Sequence, residues 1–164
     1  MIIRDARPDE LAFIGDLRVA AYRADGFLSE TSAYAEALRL LGTDGAGEVL
    51  AAADDDDNVI VGTVMLQRWP DGGQVVRGPG EGEIRALAVT PGARGQGIGR
   101  ALVAAVTGRA RDRGIKNLLL LTDPGMRAAH HLYAEAGFAR LPERDWSPRP
   151  GLTLLAYAQT LHPA

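Results

Sequence analysis

The chain of 164 residues has room for one domain with a real hydrophobic core. Its 18 basic and 21 acidic side chains leave a formal charge of −3, without the basic footprint expected of a nucleic-acid binder. Cysteine is absent, which excludes disulfides, thiolate metal sites and a cysteine nucleophile. No apolar run approaches the ~20 residues of a membrane span, and Met1–Pro8 lacks the apolar core of a signal peptide, so a cytoplasmic protein is expected.

Ile2-Ile3-Arg4 predicts a short strand. Asp9 is placed to cap a helix to about Tyr22, with Leu11, Ile14, Leu17 and Ala21 at helical spacing, and Gly26 breaks it. A weaker helix is expected over Ser32 to Leu41. Glu48 to Ala53 and Val59 to Leu66 read as two strands joined by the turn Asp54-Asp55-Asp56-Asp57-Asn58. These four carboxylates lack the alternating ligands and central glycine of a calcium loop, and read as a solvated acidic turn. A loop rich in Gly and Pro runs from Arg68 to about Gly82, before a strand from Glu83 to Val89. A helix from about Gly97 to Arg113 is marked by Ile98, Leu102, Val106 and Ala110, and Gly114 caps it. Asn117 to Thr122 holds four consecutive leucines, as in a strand covered on both faces. A helix from about Met126 to Ala136 stops at Gly137. Strands Phe138 to Leu141 and Leu152 to Tyr157 close the chain, separated by Glu143 to Pro150. The order predicts one mixed α/β domain over residues 1–164.

The chemistry gathers at Glu83 to Arg100. A strand ends at Val89, Thr90-Pro91 stops it, and Arg94-Gly95-Gln96-Gly97-Ile98-Gly99 opens a helix. A helix start carries unpaired N–H groups and partial positive charge, and glycines let a phosphate come close. A Rossmann site would put its glycines directly after the first strand, with an acidic ribose partner ~20 residues on. Here the turn is longer and Asn117 stands where that carboxylate is sought. No Gly-Lys-Ser/Thr follows, so a P-loop fails as well.

With Ala129-His130-His131-Leu132-Tyr133-Ala134-Glu135-Ala136-Gly137-Phe138 further on, the chain resembles the GCN5-related N-acetyltransferase (GNAT) superfamily. Arg94 to Gly99 fits that family's Arg/Gln-x-x-Gly-x-Gly/Ala pyrophosphate motif, and residues 129–138 fit its Ala-x-x-Leu-Tyr-x-x-x-Gly-Phe helix. The resemblance implies a single-domain fold whose mixed, mostly antiparallel sheet is splayed at the coenzyme site, with helices on both faces. It implies acetyl-CoA as cosubstrate, with no metal, and acetyl transfer to a primary amine of a small molecule or protein by direct attack on the thioester. The alternative is a module that binds or senses acetyl-CoA without turnover.

By the same resemblance, the backbone of Gly95, Gln96, Gly97, Ile98, Gly99 and Arg100 would hold the pyrophosphate, with Arg94 and Arg100 as charges at the rim or as solvated arginines. The main chain of Leu87, Ala88 and Val89 would bond the pantetheine arm and the acetyl carbonyl. Tyr133 would be the general acid toward sulfur, against an ordinary core tyrosine. Glu83 would be the base, against a strand-edge carboxylate paired with Arg85. The family's asparagine seven residues before the tyrosine is Met126 here, which puts one coenzyme contact in doubt. His130 and His131 read as surface or packing residues. The acceptor would be met by residues 22–34, 69–82 and 145–150; in and just after the first of these, Tyr22, Phe27, Tyr34, Asp25, Glu30 and Glu36 suit a cationic amine. Neither nucleic acid nor membrane is expected as a partner, and a homodimer stays open.

Overall fold

The computed structural model describes residues 1–28 and 32–163; Glu30, one of the carboxylates expected to face an acceptor, lies outside them. The fold is mixed α/β. Its eight strands are β1 (Ile2–Asp5), β2 (Glu48–Ala53), β3 (Ile60–Arg68), β4 (Glu81–Val89), β5 (Asn117–Thr122), β6 (Ala139–Arg140), β7 (Trp146–Arg149) and β8 (Leu152–Thr160). Among the described residues the α-helices are α1 (Leu11–Ala24), α2 (Tyr34–Leu40), α3 (Ile98–Asp112) and α4 (Arg127–Glu135). The strand order is β1-β2-β3-β4-β5-β8-β6, with β7 also on β8, and the pairing is mostly antiparallel. Contacts group the chain into two compact units, residues 1–65 with 86–102 and residues 66–85 with 103–164.

In the first unit β1 pairs antiparallel with β2, from Ile2 opposite Ala53 to Asp5 opposite Leu50. Ile14, Leu17 and Ala21, one face of α1, close on Val49, Ala51, Ile60, Met65 and Ala88. The helix does not start as expected. Asp9 caps nothing; Pro8–Glu10 form a 3-10 turn instead. Glu10 Oε1 accepts the Arg7 N–H at 2.8 Å, and the Arg4 fork holds both Glu10 oxygens at 2.8 Å. Arg18 is buried, with Nη1 donating to the carbonyls of Leu38 and Leu41 that end α2.

In the second unit β4 and β5 run parallel, registered from Glu81/Asn117 to Ile84/Leu120. β5 pairs antiparallel with β8 over its whole length. Leu118, Leu119 and Leu120 are buried, as a covered strand requires. β7 falls in the stretch expected only to separate two strands. All four of its residues are exposed, and Pro148 has no N–H for a ladder, which suits an outer strand and hides it from pattern reading.

Candidate functional site

The glycine turn lies in the first unit. β4 ends at Val89, and the Thr90 N–H donates to the Val61 carbonyl at 2.8 Å, extending the ladder by one bond. Pro91–Ala93 form a 3-10 turn, and Ile98 enters α3 with its side chain buried. Between them Gly95 and Gly97 both take φ +79°, a conformation costly to residues bearing a Cβ. A Cβ at either would meet no protein atom within 4 Å. The glycines are therefore required by backbone conformation and present their open side outward. The Gly97 carbonyl accepts the Ala101 N–H, which closes the first turn of α3 and leaves the N–H groups before it outside the helical ladder. This open cradle at a helix start fits a diphosphate.

Arg94 is not a plain rim charge. Its guanidinium donates to Asp25, just past α1, at 2.5 Å and to the Val89 carbonyl at 3.3 Å. Glu36 is likewise bound, by Arg39 at 2.9 Å. Two of the three carboxylates expected to meet a cationic acceptor thus already have arginine partners. Three residues before Val89, and with no mark in the sequence, Ala86 takes φ +54° inside β4 and packs against the cluster of Val19, Leu28, Ala35 and Leu38. A left-handed residue breaks the alternation of a strand.

Glu83 and its surroundings lie in the second unit. Its side chain is 1 % exposed, unlike the strand-edge carboxylate that is the alternative to a base. Oε1 accepts the backbone N–H groups of Gln74 at 2.6 Å and Val75 at 2.9 Å. Gly73, at φ +114°, makes that approach feasible, since a Cβ there would lie 2.7 Å from Oε1. Burial pushes the Glu83 carboxyl above its ordinary range, against the opposing pull of the two N–H groups and Arg85. The same loop is held twice more. Glu81 Oε1 accepts the Arg77 N–H at 2.8 Å, and Arg144 bonds both the Val75 carbonyl and the Glu81 carboxylate. Arg144 holds Glu81 below the usual carboxylate range.

Tyr133 is 6 % exposed on α4. Its ring meets Phe138 edge-on at 6.0 Å and Tyr157 at 6.3 Å. His130, one turn earlier, lies 5.7 Å from the Tyr157 ring, and its Nε2 is 2.9 Å from the Asp123 carbonyl, so it packs inward while His131 is exposed. Met126 Sδ accepts a weak bond from Thr122 Oγ1 at 3.8 Å, and so offers a soft acceptor where an amide would both donate and accept.

The model of the acetyltransferase (GNAT) family matches residues 12–138. None of the curated proteins matches the sequence. Among solved structures, a GNAT-family acetyltransferase from Staphylococcus aureus Mu50 is 18% identical, with TM-score 0.78 over 98% of this chain and 99% of that one. A ribosomal-protein-alanine N-acetyltransferase from Brucella melitensis is 24% identical, with TM-score 0.70 over 98% and 100%. The structure of yncA from Salmonella typhimurium with its cofactor acetyl-CoA is 23% identical, with TM-score 0.69 over 100% and 95%. At these identities the three likenesses establish the fold.

Proposed function

The chain belongs to the acetyltransferase (GNAT) family, and from that premise we propose that residues 1–164 form one N-acetyltransferase domain. It moves the acetyl group of acetyl-CoA to a primary amine of a small molecule or protein, in the cytoplasm. Among the described residues no helix is long and apolar enough to cross a membrane. The observation that carries the reading is the glycine turn. Two left-handed glycines with open Cβ directions stand at the start of α3, in the motif that the family uses for a pyrophosphate.

When bound, acetyl-CoA supplies an activated acetyl group and a thiol as leaving group. The backbone N–H groups of residues 95–100 hold the pyrophosphate. The peptide groups of Leu87, Ala88 and Val89 orient the pantetheine arm and the acetyl carbonyl, and a backbone donor on such an oxygen contributes ~3–4 kcal/mol at the transition state. Tyr133 holds the proton that the leaving sulfur takes; a phenol near pKa ~10 and a thiol near ~8.5 exchange it without a large penalty. Glu83 is the base, acting through water from Oε2, the oxygen that does not serve the 74–75 backbone. Its raised pKa brings it nearer the value a base needs.

The test is thiol release from acetyl-CoA across a panel of amines, with Tyr133→Phe beside the unaltered protein. The expected result is turnover on at least one amine and a loss of about 10²-fold or more in kcat for Tyr133→Phe, the range of general-acid catalysis. Tight acetyl-CoA binding without turnover on any amine would replace this reading with that of a binding or sensing module. An unchanged kcat in Tyr133→Phe would remove Tyr133 alone.

A further inference from the structure

Arg85, in the second unit, is a largely buried charge with few partners. Its side chain is 12 % exposed, and burying an ion is costly unless partners replace the water. Among the described residues, only Nη1 of the donors on its fork is engaged, by Gln67 Oε1 at 3.1 Å. The nearest anion, Glu83 Oε2, lies 3.8 Å from Nε, beyond hydrogen-bond range. An arginine serving only to neutralise a carboxylate docks on it at ~2.7–2.9 Å, commonly with two parallel bonds.

Glu83 mirrors this state. Oε1 is committed to the Gln74 and Val75 N–H groups, whereas Oε2 accepts no hydrogen bond among the described residues. The Arg85 side chain keeps 12 % of its surface open, and the 1 % exposed Glu83 carboxylate lies directly beside it, with Oε2 3.8 Å from Nε. Two half-bonded groups of opposite charge therefore stand side by side on successive same-face positions of β4. A single cation or anion would satisfy one and leave the other. A solute with an ammonium and a carboxylate on one carbon satisfies both, closing a ring of alternating charges.

We infer that Arg85 anchors the carboxylate of the acceptor, and that the acceptor class is a free α-amino acid whose amine is set at Glu83 Oε2. This rests on the transferase reading and narrows it. In the transfer the amine nitrogen bonds to the acetyl carbon and the carbon–sulfur bond breaks. The bound ammonium gives its first proton to Glu83 before the attack; the departing sulfur takes a proton from Tyr133, and the second proton lost by the nitrogen restores the Tyr133 phenol.

The experiment measures thiol release from acetyl-CoA with the proteinogenic L-amino acids and, for each one used, with its primary amide and its decarboxylated amine. In the unaltered protein the acid is expected to exceed both analogues by about 30-fold or more in kcat/KM, the worth of a charged hydrogen bond left unmade. Arg85→Gln should lower kcat/KM for the acid, mostly through KM, by a similar factor beyond whatever it costs the amide, since any change at Glu83 falls on both substrates alike. Arg85→Lys, which keeps the charge but not the fork, should restore part of the loss. Equal use of acid and amide, or an acid/amide ratio that survives Arg85→Gln, overturns the inference, as does turnover confined to amines without a carboxylate. The ratio in the unaltered protein decides the matter even where Arg85→Gln does not fold. Acetyl-CoA titrated calorimetrically separates the two readings: no binding overturns the transferase itself, whereas binding and turnover without preference for the acid overturn only the acceptor class.

Discussion

Replacing Gly97 by alanine separates what the glycine turn does for the fold from what it does for a ligand. At φ +79° an L-residue is strained by about 1 kcal/mol. The new Cβ touches no protein atom within 4 Å, so strain is the whole cost to the free protein. In a chain of this size that is a fall in Tm of about 2–4 °C. The same methyl group points into the space assigned to the pyrophosphate. Losing one or two backbone bonds to a charged oxygen, at ~1.5–3 kcal/mol each, lowers acetyl-CoA affinity by about 10-fold or more. Gly95→Ala, with the same φ and the same open surroundings, carries the same strain and serves as its companion. Thermal melts and calorimetric titration with acetyl-CoA measure the two effects on one sample. A Tm that falls as stated with an unchanged Kd would refute the cradle and leave the turn a purely structural device.

Glu10 is held at a pKa of about 2 by the Arg4 fork, with the Arg7 N–H adding to it. A lowered carboxylate stabilises the fold above its unfolded value of 4.5, and the contribution is lost as pH falls from there toward about 2. The full shift would be worth about 3 kcal/mol; with partial exposure and screening, about 1–2 kcal/mol is expected. Glu10→Gln should therefore lower stability to urea at pH 7 by that amount and by much less near pH 2. An equal loss at both pH values would place the effect in packing. Glu83 has the opposite sign: its raised pKa favours the fold below 4.5 and ceases to do so as pH rises through the folded value. As a base it must be ionised, so kcat/KM should climb with pH across that folded pKa. Glu83→Gln, which keeps an oxygen for the 74–75 N–H groups, should abolish the climb; a matching acidic limb in both proteins would exclude Glu83 as the base.

How much of this was legible in the sequence depended on the kind of signal. β2 and β5 occupy the limits expected of them, because each is a short apolar run closed by turn residues. The α3 stripe Ile98, Leu102, Val106 and Ala110 is buried as its spacing by four requires. The glycine turn was readable because a left-handed backbone leaves glycine as its mark. What escaped had no periodic mark. β7 has no buried face to pattern. Glu83 is fixed by N–H groups eight and nine residues upstream, in a loop whose course composition does not reveal. The start of α1 was assigned to Asp9 by the usual cap preference, whereas Pro8 and the Arg4–Glu10 pair decide it. From the sequence Arg85 is only a neighbour for Glu83; a 3.8 Å gap and one engaged nitrogen are matters of distance.

Ala86 has a consequence for anyone altering this protein. A strand position ordinarily rewards valine and isoleucine and disfavours asparagine and glycine. With φ at +54° that ranking reverses, since β-branched side chains suffer most in the left-handed region and Asn, Asp and Gly least. A combinatorial library weighted by strand composition would enrich at this one position for the residues least able to keep β4 on its course. The small methyl group of alanine is a compromise between the conformation and the packing against Val19 and Leu38, and it leaves little room for drift.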